Sequence, residues 1–257
     1  MAHYEPLKEM VIGVVFEPVQ GFKAAHYGLF WKRIRKKFPI CQDAPSLPPI
    51  GKEGTMSIHF KQTSLPRVWY INQDEDRLLQ LQGDRLLVNW RKKESSSNYI
   101  GYEKCLEWFF EDWKIFQKWL AAEKLEQVRI KQLELNYTNQ IPYEKMEGGL
   151  DNFGSIFPVL KFSDWPSSNG LLLPENFACQ FKMVSPDIPD STMLINMATA
   201  VRLDDQKPFI QIAFHVTVPV SDVESDVSKS RFDKAHDWIV NAFKGLVSKS
   251  AREKLWS

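Results

Sequence analysis

The stretch LLQLQGDRLLVNWR, residues 78–91, constrains the fold of this chain more than any other. Apolar and polar residues alternate on both sides of a Gly-Asp pair, the mark of two strands joined by a two-residue turn. With Gly83-Asp84 at the turn, Gln82 lies opposite Arg85, Gln80 opposite Leu87, Leu78 opposite Asn89 and Asp76 opposite Arg91. Cross-strand partners share a face. One face therefore carries Leu79, Leu81, Leu86, Val88 and Trp90. The other carries Gln80, Gln82, Arg85, Asn89, Arg91 and Asp76. A slip of one residue would exchange the faces, so the pattern and the turn specify the register together.

The same alternation recurs downstream. Leu133, Leu135, Tyr137 and Ile141 oppose Gln132, Glu134, Asn136 and Thr138. Phe177, Cys179, Phe181 and Met183 oppose Gln180 and Lys182, and Ile210, Ile212, Phe214 and Val216 oppose Gln211 and His215. Such alternation predicts antiparallel strands with one covered face. Three amphipathic helices are expected to cover it. The first, 21–39, carries a stripe of Phe22, Ala25, Leu29 and Ile34. The second, about 101–123, carries Tyr102, Leu106, Phe109, Phe110, Trp113, Phe116 and Leu120. The last, 230–248, carries Phe232, His236, Ile239, Val240, Phe243 and Val247. The fold class is α+β: a large antiparallel sheet with three helices on one face, in an order that admits a curled, helix-grip-like form.

Further strands are expected at 8–18, 56–63, 67–73, 128–142, 175–184, 191–203 and 208–219, and the Pro- and Gly-rich 41–54 reads as a loop. The chain divides into an N-terminal α+β half (1–143), an irregular connection (144–170) and a C-terminal half of three strands and a helix (171–257), expected to form one compact body. Both halves run from strands through a Ser-rich loop to an aromatic helix, which suggests a repeated order.

Composition excludes several function classes. At 257 residues and 44% hydrophobic, the chain can bury a sizeable core. Its 33 basic and 32 acidic residues leave no bulk charge to favour nucleic acid or an anionic membrane. Three unclustered cysteines, Cys41, Cys105 and Cys179, fit neither a disulfide framework nor a zinc site, and suit the cytoplasm. No run approaches the roughly 20 apolar residues that span a bilayer, and no signal peptide is read at the start. Cys-x-x-Cys, a phosphate-binding Gly loop and G-x-S-x-G are missing. No metal, cofactor or catalytic set is expected.

The candidate site is the amide-rich polar face: Arg91 as anchor, with Asn89, Gln80, Gln82, Asn136, Glu134 and His215. Side-chain amides pair donor with acceptor and so suit the reading of a partner. The aromatic residues fall on the apolar face, which disfavours nucleic-acid stacking. A second candidate is a small-ligand pocket lined by His236, Trp238, Phe214 and Met183. A third is an enzyme of unknown class, with His215 beside Glu134 or His236 in that pocket.

The segments GFKAAHYGLFWKRIRKKFP, VWYINQDEDRLLQLQGDRLLVNWRK with its following tyrosines, LELNYTNQI and FDKAHDWIVNAFKGLVSKSAREKLW resemble a family of prokaryotic proteins of about this length, called sporadically distributed. The resemblance covers nearly the whole chain and is most specific at the Gln-Leu-Gln to Asn-Trp-Arg hairpin. A proline often follows the loop tyrosine in that family, whereas Ile100 follows Tyr99 here. The family has no established activity. The resemblance implies a setting among mobile, defence or toxin–antitoxin-like genes, and it adds Asn139 to the polar-face candidates. The leading expectation is a non-enzymatic cytoplasmic binding protein that takes a protein partner, or its own copy, through the polar face.

Overall fold

The computed structural model describes residues 6–48, 65–93, 99–143, 153–160, 176–220 and 227–256. It confirms the α+β class. Nine strands form one open sheet in the order β2-β3-β4-β5-β1-β6-β9-β8-β7. They are β1 (Leu7–Phe16), β2 (Ile40–Ala44), β3 (Arg67–Ile71), β4 (Arg77–Gln82), β5 (Arg85–Arg91), β6 (Ile130–Pro142), β7 (Ala178–Val184), β8 (Thr192–Val201) and β9 (Pro208–Pro219). The helices are α1 (Ala24–Ile34), α2 (Tyr102–Ala122), α3 (Phe153–Ile156), α4 (Lys229–Leu246) and α5 (Lys249–Trp256). Among the described residues no helix is long and apolar enough to cross a membrane.

The strand order repeats outward from the β1–β6 pair. β5 corresponds to β9, β4 to β8 and β3 to β7, with β2 added at one end. In each series a meander is followed by a long helix, α2 or α4. Two compact units form: residues 10–134 with 219–228, and residues 1–9 with 135–218 and 229–257.

In the unit built around 10–134, α1 and α2 lie on the Tyr70 side of the sheet. Tyr70 donates its hydroxyl hydrogen to the Tyr27 carbonyl at 2.9 Å, and Phe30 packs edge-on to Tyr70 and Phe116. Phe16 stacks on Phe116. The buried stripe of α1 is Tyr27, Phe30 and Ile34. It is rotated from the expected one, because Ala25 and Leu29 are exposed. His26 instead accepts the Lys23 backbone N–H on Nδ1 at 2.8 Å and caps the start of α1. In α2 the expected stripe is buried except at Phe110, and Cys105, Asp112 and Trp119 join it.

In the other unit, α4 buries Phe232, Ala235 and Ile239, while His236, Val240 and Phe243 are half-buried. Phe243 meets Phe214 edge-on at 6.1 Å. β2 forms within the stretch read as a loop, and α5 was not anticipated. The strand expected at 56–63, and 144–152 and 161–170 of the expected connection, lie outside the described residues.

Candidate functional site

The hairpin adopts the register its sequence dictates. Gln82 pairs with Arg85, Gln80 with Leu87 and Leu78 with Asn89. Asp76 accepts the Arg91 backbone N–H at 2.8 Å. Gln80, Gln82, Arg85, Asn89 and Arg91 thus share a face, together with Leu78 and Leu87. That face is not solvated here. Gln80, Gln82 and Arg85 are buried, and Asn89 is 1% exposed.

Their partners come from the chain itself. Gln82 grips the backbone of Leu47 on both sides: its Oε1 accepts the Leu47 N–H at 2.8 Å, and its Nε2 donates to the Leu47 carbonyl at 3.1 Å. Arg85 donates to the Pro48 carbonyl at 2.7 Å and forks onto Asp84. The Gln82 amide thus pairs donor and acceptor with the chain's own backbone, in the stretch just after β2. A buried polar face needs such satisfaction, since an unpaired buried amide costs about 1–3 kcal/mol.

The part of this face that reaches the surface centres on Trp69. β3 pairs Trp69 with Gln80, which puts the indole on the polar face. The assignment of aromatics to the apolar face is corrected at this one position. The alternation of Arg67, Trp69 and Ile71 against Val68 and Tyr70 carried the signal, but the face could be set only by pairing with β4. The Arg91 guanidinium lies 4.9 Å and that of Arg67 5.4 Å from the centre of a Trp69 ring, both in cation–π contact. Gln80 Oε1 accepts from Trp69 Nε1 at 3.1 Å and from Arg67 Nη1 at 3.0 Å. Gln80 Nε2 in turn donates to Asn89 Oδ1 at 2.8 Å. Arg67 and the indole thus rest on the buried Gln80, which is tied to Asn89, and the half-buried Arg91 joins them through the ring. Chemically the patch offers planar, multidentate donors and a ring face, which suit carboxylates and backbone carbonyls.

The chain matches no model of a known protein family and no curated protein.

The remaining candidates are distributed between the units. Glu134 belongs with the hairpin's unit, is buried, and accepts the Gln132 amide at 2.9 Å. Asn136, Asn139 and His215 belong to the other unit. Asn136 Oδ1 and His215 Nε2 are buried and lack a hydrogen-bond partner among the described residues. They sit on the neighbouring strands β6 and β9. Asn139 does not share the polar face. It falls at the same parity as the buried Leu135, Tyr137 and Ile141, is itself buried, and points Nδ2 at the Ile212 carbonyl 3.5 Å away.

The residues of the pocket reading are dispersed. Met183 lies on β7 and Phe214 on β9, with β8 between them. Phe214 is fully buried, Trp238 half-buried and Met183 exposed. His236 Nδ1 and the Tyr137 hydroxyl are hydrogen-bonded at 2.6 Å.

A charged cluster escaped the sequence reading. Arg77, on the helix-covered side of β4, donates to Asp112 Oδ2 at 2.6 Å and lies 4.4 Å from a Trp108 ring centre. Lys37 reaches the other Asp112 oxygen at 2.9 Å. The available signal was Asp112 itself, spaced with Phe109, Trp113 and Phe116 on the apolar stripe of α2.

Proposed function

We propose that this chain is a non-enzymatic binding protein whose Arg67–Trp69–Arg91 patch takes a carboxylate-bearing segment of a protein partner. The observation that carries this reading is that two guanidiniums, Arg67 and Arg91, lie over the one Trp69 indole, whose Nε1 is held, with Arg67, by the buried Gln80. Fixed guanidiniums lose little freedom on binding, which makes Arg and Trp effective anchors at interfaces. Arg91 keeps the anchor role, now joined by Arg67 and Trp69. Gln82 serves instead to hold the stretch after β2. The three unclustered cysteines support a cytoplasmic setting, and the family resemblance supports one among defence or toxin–antitoxin-like modules.

The test is native mass spectrometry of the gently purified full chain, followed by affinity measurement with the partner it identifies. Arg91→Ala and Arg67→Ala together are expected to weaken binding by about 30-fold or more, the loss typical of a hot-spot anchor, with little change in Tm. Unchanged affinity in the double variant refutes the reading. So does nuclease-sensitive nucleic acid as the co-purifying species.

A further inference from the structure

Among the described residues β7 is an end strand of the sheet, paired only with β8. The Thr199 N–H donates to the Phe177 carbonyl at 3.0 Å and the Ser185 N–H to the Ser191 carbonyl at 2.9 Å, on either side of an unbroken seven-pair register. In an antiparallel ladder this assigns the odd-numbered backbone groups to β8 and turns those of Ala178, Gln180, Lys182 and Val184 outward. All four residues are exposed, so this edge is open.

The apolar face of β7 also runs past the edge of its core. Cys179, Phe181 and Met183 lie opposite Met197, Ile195 and Met193 of β8. The β8 residues are fully buried, whereas Met183 is 39% exposed. The far edge, β2, is guarded differently: it is five residues long, carries Asp43, and is followed by Pro45 and Pro48. Short, charged or proline-flanked strands are what keep a solvated edge unpaired. β7 has one charge, Lys182, and no proline.

Read from either end, Cys-Gln-Phe-Lys-Met keeps the same order of apolar and polar positions about its central Phe181. A two-fold axis through Phe181 therefore brings the outward-facing residues together, Gln180 on Lys182 and Ala178 on Val184 of a second copy. The same operation lays Phe181 on Phe181 and Cys179 on Met183 along one apolar stripe, and sets no like charges directly opposite. We infer that β7 is a homodimerisation edge, joining two copies by antiparallel β7–β7 pairing centred on Phe181. This surface is separate from the Arg67–Trp69–Arg91 patch and does not depend on it. A single short strand buries less than the roughly 1,600 Å² of a standard interface, so the dimer is expected to form at micromolar concentrations.

The experiment is sedimentation of the full chain across the micromolar range, with two variants. Lys182→Pro removes an outward N–H that β8 does not use, so the strand tolerates it. It is expected to give a monomer of nearly unchanged Tm. Phe181→Cys, in a Cys41→Ser/Cys179→Ser background, is expected to cross-link into a covalent dimer under mild oxidation. Directly opposed residues of a non-hydrogen-bonded pair have Cα atoms about 4.5 Å apart, within reach of a disulfide. A parent chain that stays monomeric overturns the inference. So does a dimer that survives Lys182→Pro, or one in which Phe181→Cys fails to cross-link. Arg91→Ala leaves the dimer intact, so failure of this inference and failure of the proposed function are read separately.

Discussion

Asp112 is 1% exposed, and its carboxylate accepts a 2.6 Å bond from the Arg77 guanidinium and a 2.9 Å bond from Lys37. This ties α2 to β4 and to the turn after α1 beneath an otherwise apolar helix face. Removing one member strands the other charge. Asp112→Ala is expected to cost about 3–5 kcal/mol in chemical denaturation. Replacing the pair together, Arg77→Met with Asp112→Leu, should recover most of that loss, because no buried charge is then left alone. A double variant as unstable as the single one would show that the pair is needed for more than mutual neutralisation.

The Gln82 grip on Leu47 makes a separate claim. Gln82→Ala leaves the Leu47 N–H and carbonyl without their partners. We expect a loss of about 1–3 kcal/mol and faster hydrogen exchange at the Leu47 amide. Unchanged exchange there would mean that Gln82 does not hold this segment in solution.

Gly13 of β1 allows the hairpin to lie close. A Cβ at this position would collide with Leu87 Cδ2 and stand 2.7 Å from the Leu86 carbonyl oxygen. The leucine tip can turn aside, but the backbone oxygen cannot. Gly13→Ala is expected to destabilise by about 1–3 kcal/mol, and Leu87→Ala in the same chain to relieve only part of it.

Burial pushes the Cys105 thiol up to about 12 and raises the Tyr70 and Tyr27 hydroxyls above their ordinary range. Each stays protonated in the fold at a pH where the unfolded chain releases its proton. Their contribution is complete below the unfolded values, near 9 for the thiol and 10 for the tyrosines, and is lost as pH rises through the folded ones. Stability is therefore expected to fall from about pH 9 upward, measured as urea midpoints across pH 8–11. At pH 8 a thiol reagent should modify the exposed Cys41 first, the half-buried Cys179 next and Cys105 last.

The hairpin shows how much was legible in the sequence. Turn chemistry and period-2 alternation specify register locally, so every pairing from Gln82–Arg85 to Leu78–Asn89 followed from residues close together in the chain. The amphipathic spacing of α2 was equally local. The stripe of α1 was misjudged because Leu29 and Phe30 are adjacent and both apolar. Only contact with Tyr70 and Phe116 selects Phe30. Of the candidate site, Arg91 and its backing amides could be named from parity, but Trp69 could not. β3 follows a long connection, and no local pattern says which side of β4 its residues join.

By itself the sequence determined the α+β class, the antiparallel pairing, and which residues of each strand share a side, because all of these rest on short-range periodicity and turn geometry. Tertiary structure alone decided what each side meets. It folded Leu47 and Pro48 over part of the polar face, set two arginines against Trp69, buried Asp112 against Arg77, and left β7 at an end of the sheet among the described residues. Those outcomes depend on strand order and on long connections. Contacts between residues far apart in the chain are chosen by the packing of the whole, not by the spacing of neighbours.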